Sequence, residues 1–137
     1  MSTATAALSA PRAREKERWL AALEELMRNI EQWSAEQDWQ LARLKKKTIR
    51  EPGIGTYSVS DLRIRTHSGV LNVEVVARDI VGADGRVDLV SFPAMDRFII
   101  IHTGGRWMVH DDYGRARPRR WCKKTFVDVA EQLTKPL

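Results

Sequence analysis

A single cysteine, Cys122, stands in the chain of 137 residues. One thiol can form neither an internal disulfide nor a cysteine-built zinc site. Long apolar runs are missing too, and nothing approaches the ~20 residues that span a bilayer, so no membrane partner is expected. Residues 1–10 (MSTATAALSA) lack the basic start and continuous apolar stretch of a secretory leader. The expectation is a soluble cytoplasmic protein. There is no phosphate-binding glycine loop, no HExxH, no GxSxG and no Cys–His zinc spacing. No lysine occurs between Lys47 and Lys123. The nuclease pattern of two acids, one spacer and a lysine is therefore absent from that stretch. These absences lean away from an enzyme, and no cofactor or resident metal is expected.

What is present suffices for one core. The composition is 43% hydrophobic and 30% charged, well clear of disordered chains. The net charge is +5, but it is unevenly placed. Residues 1–50 carry 10 basic and 7 acidic side chains, residues 51–113 carry 6 and 9, and residues 114–137 carry 7 and 2. The ends are basic and the middle is mildly acidic. A basic excess attracts nucleic acid or acidic protein surfaces.

Residues 1–11 are small and polar and read as a disordered tail. Residues 12–137 read as a single α+β domain. No Gly or Pro interrupts residues 12–47. Trp19, Leu23, Leu26, Ile30 and Trp33 are spaced four, three, four and three, which is one stripe of a helix. Beyond Trp33 the stripe slips. Ser34-Ala-Glu-Gln37 has the form of a capping box. The expectation is a helical region over 12–47 with a break near Ser34, and the alternative is one projecting helix.

Residues 51–55 (Glu-Pro-Gly-Ile-Gly) punctuate the chain. The period then becomes two. Leu62, Ile64 and Thr66 oppose Arg63, Arg65 and His67, which describes a strand with one wet face. Leu71, Val73, Val75 and Ala77 form the next apolar face. Residues 82–85 (Gly-Ala-Asp-Gly) signal a hairpin. Residues 86–92 and 98–102 are further strands, the latter apolar enough to be central. Thr103-Gly-Gly105 turns the chain into a strand at Trp107, Val109 and Asp111. A further strand is weakly marked near Tyr57 and Val59. The sum is a four- to five-stranded antiparallel meander over 54–113. Thr125-Phe-Val-Asp128 resembles a capping box, and Phe126, Val129, Ala130 and Leu133 give a C-terminal helix over 125–135. No βαβ unit occurs, which argues against a nucleotide-binding parallel sheet.

The strongest local feature is the basic segment 115–124. It holds Arg115, Arg117, Arg119, Arg120, Lys123 and Lys124 around Trp121, with Pro118 keeping it out of a helix interior. Arginine suits bidentate phosphate contact, and an indole can stack on an exposed base. Lys45, Lys46 and Lys47 form a second cluster, expected in the last turn of a helix, where the dipole alone would favour them. Both clusters are candidates for contact with nucleic acid, another polyanion or an acidic protein surface. Trp121 also reads as a packing residue ahead of Phe126.

Two other functions compete. Trp19, Leu23, Leu26, Ile30 and Trp33 could seat a partner helix, giving a homodimer or a protein–protein adaptor. The same stripe could instead cover the meander, which needs a cover. His110, Asp111 and Asp112 crowd together as the weakest candidate, a metal-dependent hydrolase centre, though adjacent acids at a strand end also make an ordinary turn. Glu74 and Asp88 could form a carboxylate pair, or more simply pair with wet-face arginines. The leading expectation is a small non-enzymatic binding protein acting through its basic segment.

Overall fold

Pro11 sits in the first turn of the first helix, where its missing N–H costs nothing. Ser9 caps that helix by accepting the Arg12 amide at 3.3 Å. The helix, α1, spans Ala10–Glu36 in a computed structural model that describes residues 8–77 and 84–136. It continues unbroken through Ser34. Ser34 closes α1 rather than starting a second helix. Asp38 takes a left-handed conformation with φ of 59°. The Trp39 amide then reaches the Ser34 carbonyl at 2.9 Å, and the Asp38 amide reaches that of Ala35 at 3.0 Å. This crossed pair is a Schellman end, and it satisfies carbonyls that a helix terminus leaves orphaned.

The chain then enters strands, not more helix. The strands are β1 (Gln40–Glu51), β2 (Gly55–Arg65), β3 (Val70–Ala77), β4 (Gly85–Phe92), β5 (Arg97–Thr103), β6 (Arg106–Asp111) and β7 (Arg119–Arg120). A second helix, α2, spans Lys123–Thr134. The sheet is antiparallel throughout, in the order β1-β2-β3-β4-β5-β6-β7. The α+β class and the helix–sheet–helix order match expectation. The expected four to five strands are corrected to seven, and the expected helical region 12–47 ends at Glu36. The weak strand at Tyr57 is the first half of β2. β5 lies inside the sheet, as its apolar run suggests. The first half of the hairpin signal at 82–85 lies outside the described residues, and its last residue, Gly85, begins β4. Among the described residues no helix is long and apolar enough to cross a membrane.

α2 begins two residues earlier than expected. Cys122 is its cap residue, with no side-chain cap bond. Thr125 lies inside the first turn and is buried, so the expected capping box is not formed there. The predicted stripe holds: Phe126, Val129, Ala130 and Leu133 are all buried.

Both helices place their apolar stripes on one face of the sheet. Trp19, Leu23, Leu26 and Ile30 from α1 meet Leu62, Ile64, Leu71, Val73, Val75, Val87, Leu89, Ile100 and Val109 in one core. Each fully buried Leu or Ile there contributes about 1.5–3 kcal/mol. Val90 is fully buried yet lies outside this core. It belongs to the opposite face of the sheet.

The sheet opens on one side. β2 pairs with β3 only from Leu62 to Arg65. Beyond Asp61 the β1–β2 ribbon leaves the sheet and folds over the first half of α1. Lys16 Nζ donates to the Thr56 carbonyl at 2.9 Å, and Ile54 at the ribbon tip is fully buried. At the opening the Val75 backbone has no partner on β2. The Asp61 carboxylate accepts the Val75 amide at 2.9 Å, and Lys47 Nζ donates to the Val75 carbonyl at 2.7 Å. Lys47 and Asp61 also pair with each other at 2.9 Å. Two polar side chains thus close a gap that would otherwise leave orphaned backbone, at about 1–3 kcal/mol for each buried group.

Candidate functional site

The turn after β6 is built on Asp111. Its carboxylate accepts the Arg115 amide at 2.9 Å and 3.2 Å and the Ala116 amide at 3.3 Å. Gly114 takes φ of 64° in the same turn, a conformation that favours glycine. Asp111 is therefore occupied in holding the loop. Asp112 is exposed, and His110 points to the other face of β6. Among the described residues no group of three or more His, Cys, Asp or Glu side chains is placed to hold a metal.

The loop returns as β7, only two residues long. Arg120 sits opposite Met108, and Arg119 opposite Val109. The Trp121 amide then donates to the Trp107 carbonyl at 3.2 Å. Trp121 is half-buried against α1 and α2. Its ring lies 5.3 Å from that of Trp33 and 5.6 Å from that of Phe126, and its Nε1 donates to Asn29 Oδ1 at 3.3 Å. Trp121 thus packs into the aromatic cluster while one edge borders the surface.

The six cations of the segment have different surroundings. Arg119 and Lys124 both pair with Asp128 at 3.0 Å. Lys123 pairs with Glu36 on α1 at 2.7 Å. The Lys124 ammonium, then the Arg119 guanidinium, hold the Asp128 carboxyl below its usual range. Lys123, then Gln32, do the same for Glu36. Arg115 lies over the Tyr113 ring at 5.0 Å. Arg117 and Arg120 are exposed and have no ion-pair partner among the described residues. The exposed Cys122 thiol is held below its usual range, first by the Thr125 hydroxyl and then by the Thr125 amide.

A cleft of about 440 Å³ opens where β7 stops short of the end of β6. Gly105, Arg106, Trp107, Met108, Arg120 and Trp121 line it. Arg106-Trp107 and Arg120-Trp121 are the same dipeptide, brought side by side by the register of β6 and β7. Sequence reasoning singled out the second pair and missed the first. The repeated Arg-Trp step was the available signal. Comparison with protein-family models, with curated proteins and with solved structures finds no match to this chain.

The second basic cluster is elsewhere. Lys45, Lys46 and Lys47 lie on β1, at the opposite end of the strand order from β7, and not in a helical turn. Lys45 and Lys46 are exposed, while Lys47 serves the sheet opening described above. The two clusters are separated by α1, which Arg43 grips from one side through Glu31 at 2.6 Å and Lys123 from the other through Glu36. Of the helix stripe, Trp19, Leu23, Leu26 and Ile30 are buried in the protein's own core, and Trp33 packs on Trp121 and Phe126.

A second cleft, about 360 Å³, lies between Glu15, Arg18 and Trp19 on α1 and Asp84, His102 and Gly105 on the strands. The His102 ring packs tilted against that of Trp107, centroids 4.7 Å apart, and its Nδ1 lies 3.8 Å from Asp84 Oδ2. Burial pulls its pKa below the ordinary value, against the opposing pull of Asp84 and Glu25. The unfolded chain therefore takes up this proton first as pH falls through about 6.5. Stability from this group is complete above that pH and declines below it, toward the lower folded-state pKa. Urea unfolding midpoints should fall between about pH 7 and about pH 5.5. His102→Gln should flatten that decline, and an equal decline in the variant would assign it to other groups.

Proposed function

We propose that this chain is a small non-enzymatic binding protein whose basic segment, residues 115–124, contacts nucleic acid or another polyanion. The observation that carries the reading is the cleft in which two arginines, Arg106 and Arg120, border two indoles, Trp107 and Trp121. Guanidinium groups meet phosphate through paired hydrogen bonds, and indole edges and faces receive bases. Arg117 adds an exposed cation on the same loop. Arg119, Lys123 and Lys124 are already engaged by Asp128 and Glu36, so their part is to fix the segment. Lys45 and Lys46 form a separate basic patch on the far edge.

The test is titration of labelled single- and double-stranded DNA and RNA at several salt concentrations. Wild type should bind with a log–log salt slope of several units. Each neutralised phosphate contributes about 0.7–0.9 to that slope. The double variant Arg117→Ala/Arg120→Ala should therefore lose about 1.4–1.8 of it. Both residues are exposed and without ion pairs among the described residues, so the variant should keep its fold. Absence of binding at about physiological ionic strength, ~0.15 M, would refute the reading.

A further inference from the structure

The face of the sheet turned away from both helices carries arginine from five of the seven strands. Cross-strand register identifies its members. One row runs Arg63, Asn72, Val90, Arg97. Another runs Arg86, Ile101, Met108, Arg120. Arg65 lies opposite Val70 on β3, and Arg106 lies opposite Thr103 on β5, both on this same face. The buried stripes of both helices belong to the core on the other side. Six arginines thus share one face. On the described strands they meet Glu74 and Asp88, which stand directly opposite each other, and Asp61, which alternates with Arg63 on β2; Asp112, just past β6, also acts on Arg86.

Asp88 is 1% exposed and is engaged from both sides. Arg86 donates to it at 2.7 Å and 3.0 Å, and Arg97 at 2.7 Å. The buried carboxylate holds the Arg86 guanidinium above its usual pKa. Arg63 Nε donates to Asn72 Oδ1 at 3.0 Å. Val90, fully buried, stands in register between Asn72 and Arg97 on this face. Arg65, Arg106 and Arg120 are exposed and have no ion-pair partner among the described residues. The result is a net-positive surface in which Arg63, Arg86 and Arg97 are held by hydrogen bonds and Arg65, Arg106 and Arg120 are open to solvent.

We infer that this open face binds a single-stranded nucleic acid laid across the strands from β2 to β7, entering the Arg106/Arg120 cleft at its far end. This rests on the polyanion reading above and adds the strandedness and the path. Five interstrand steps at about 4.8 Å give a track of about 24 Å. A duplex is disfavoured by shape. Its major groove, about 12 Å wide, admits a helix or a two-stranded ribbon, not a face of this breadth. A single strand can lie flat, with phosphates on the arginine forks and bases against guanidinium planes and aliphatic side chains. Arg120 belongs both to the face and to the cleft, which makes the two continuous.

The experiment is fluorescence anisotropy with a labelled 12-nucleotide single strand and the matching duplex. It compares wild type, Arg117→Ala/Arg120→Ala, Arg63→Gln/Arg65→Gln and Arg63→Lys/Arg65→Lys, with circular dichroism confirming the fold of each. The single strand should bind more tightly than the duplex. Arg63→Gln/Arg65→Gln should lower the single-strand salt slope by about 1.4, two contacts at about 0.7 each. Arg63→Lys/Arg65→Lys should keep the slope. Three outcomes overturn the inference: equal or tighter duplex binding, an unchanged slope in Arg63→Gln/Arg65→Gln, or no nucleic-acid binding by wild type. Only the last also overturns the proposed function. An unchanged slope beside a reduced one in Arg117→Ala/Arg120→Ala confines binding to the segment.

Discussion

Trp19→Ala should lower the unfolding free energy by about 3–5 kcal/mol, the range for emptying a buried aromatic site. Trp19 is 3% exposed at the meeting of α1, the β1–β2 ribbon and the sheet. Its ring lies 5.9 Å from that of Trp107. Its Nε1 donates to the Tyr57 hydroxyl at 3.0 Å, and that hydroxyl donates to the buried Glu51 carboxylate. Truncation removes both the packing and the donor to Tyr57. The site also has little room to collapse, because the ring rests on bare backbone. A Cβ at Gly85 would come within 2.2 Å of Trp19 Cζ3 and 2.3 Å of Cη2. Gly85→Ala in wild type should therefore cost about 1–3 kcal/mol by overpacking. In the Trp19→Ala background the same change should be nearly neutral or favourable, since its methyl enters the vacated space. Urea denaturation of the four proteins in this cycle measures the coupling. Additive losses, or a loss under about 1 kcal/mol for Trp19→Ala, would contradict the contact.

The helix stripe, the inward and outward faces of β2 and β3, and the apolar face of α2 were legible because each buries one side and wets the other. Burial of that kind imprints a period of 3.6 or 2 on the sequence. β1 has no such imprint. It is an edge strand, exposed along most of its length, and its register slips between Arg43 and Lys46. Three consecutive lysines on an edge protect against pairing with other chains, yet in sequence they resemble a helix terminus. Ser34 was misleading for a related reason. The same Ser-x-x-Gln fits a helix start, and only the left-handed Asp38 decides that the chain stops there. β7 exists solely through its pairing with β6, so two residues could not announce it. The candidate site divides in the same way. The basic segment is visible as composition. The juxtaposition of its Arg-Trp step with the one on β6 needs the register, and so does the arginine face, whose members are scattered from Arg63 to Arg120.

Phe126→Ala should also cost about 3–5 kcal/mol, by a different route and with a consequence at the site. Phe126 is fully buried at the start of α2. Its ring lies 6.0 Å from Trp33, 6.0 Å from Trp39 and 5.6 Å from Trp121. Each such aromatic pair adds about 0.5–1.5 kcal/mol beyond the area it buries. These three indoles join the end of α1, the entry to β1 and the exit from β7. Removing the shared ring unseats Trp121, which ties Arg120 to the helices beside the Arg119–Asp128 ion pair. Tryptophan emission should therefore shift to the red in the folded variant as the indoles gain solvent. The polyanion salt slope should fall even though no cation has been removed. Phe126→Leu, which keeps most of the volume, should retain more stability than Phe126→Ala and keep the slope. If Phe126→Ala loses stability but leaves both emission and slope unchanged, the aromatic cluster supports the core alone, and the segment is positioned by its ion pairs to Asp128 and Glu36.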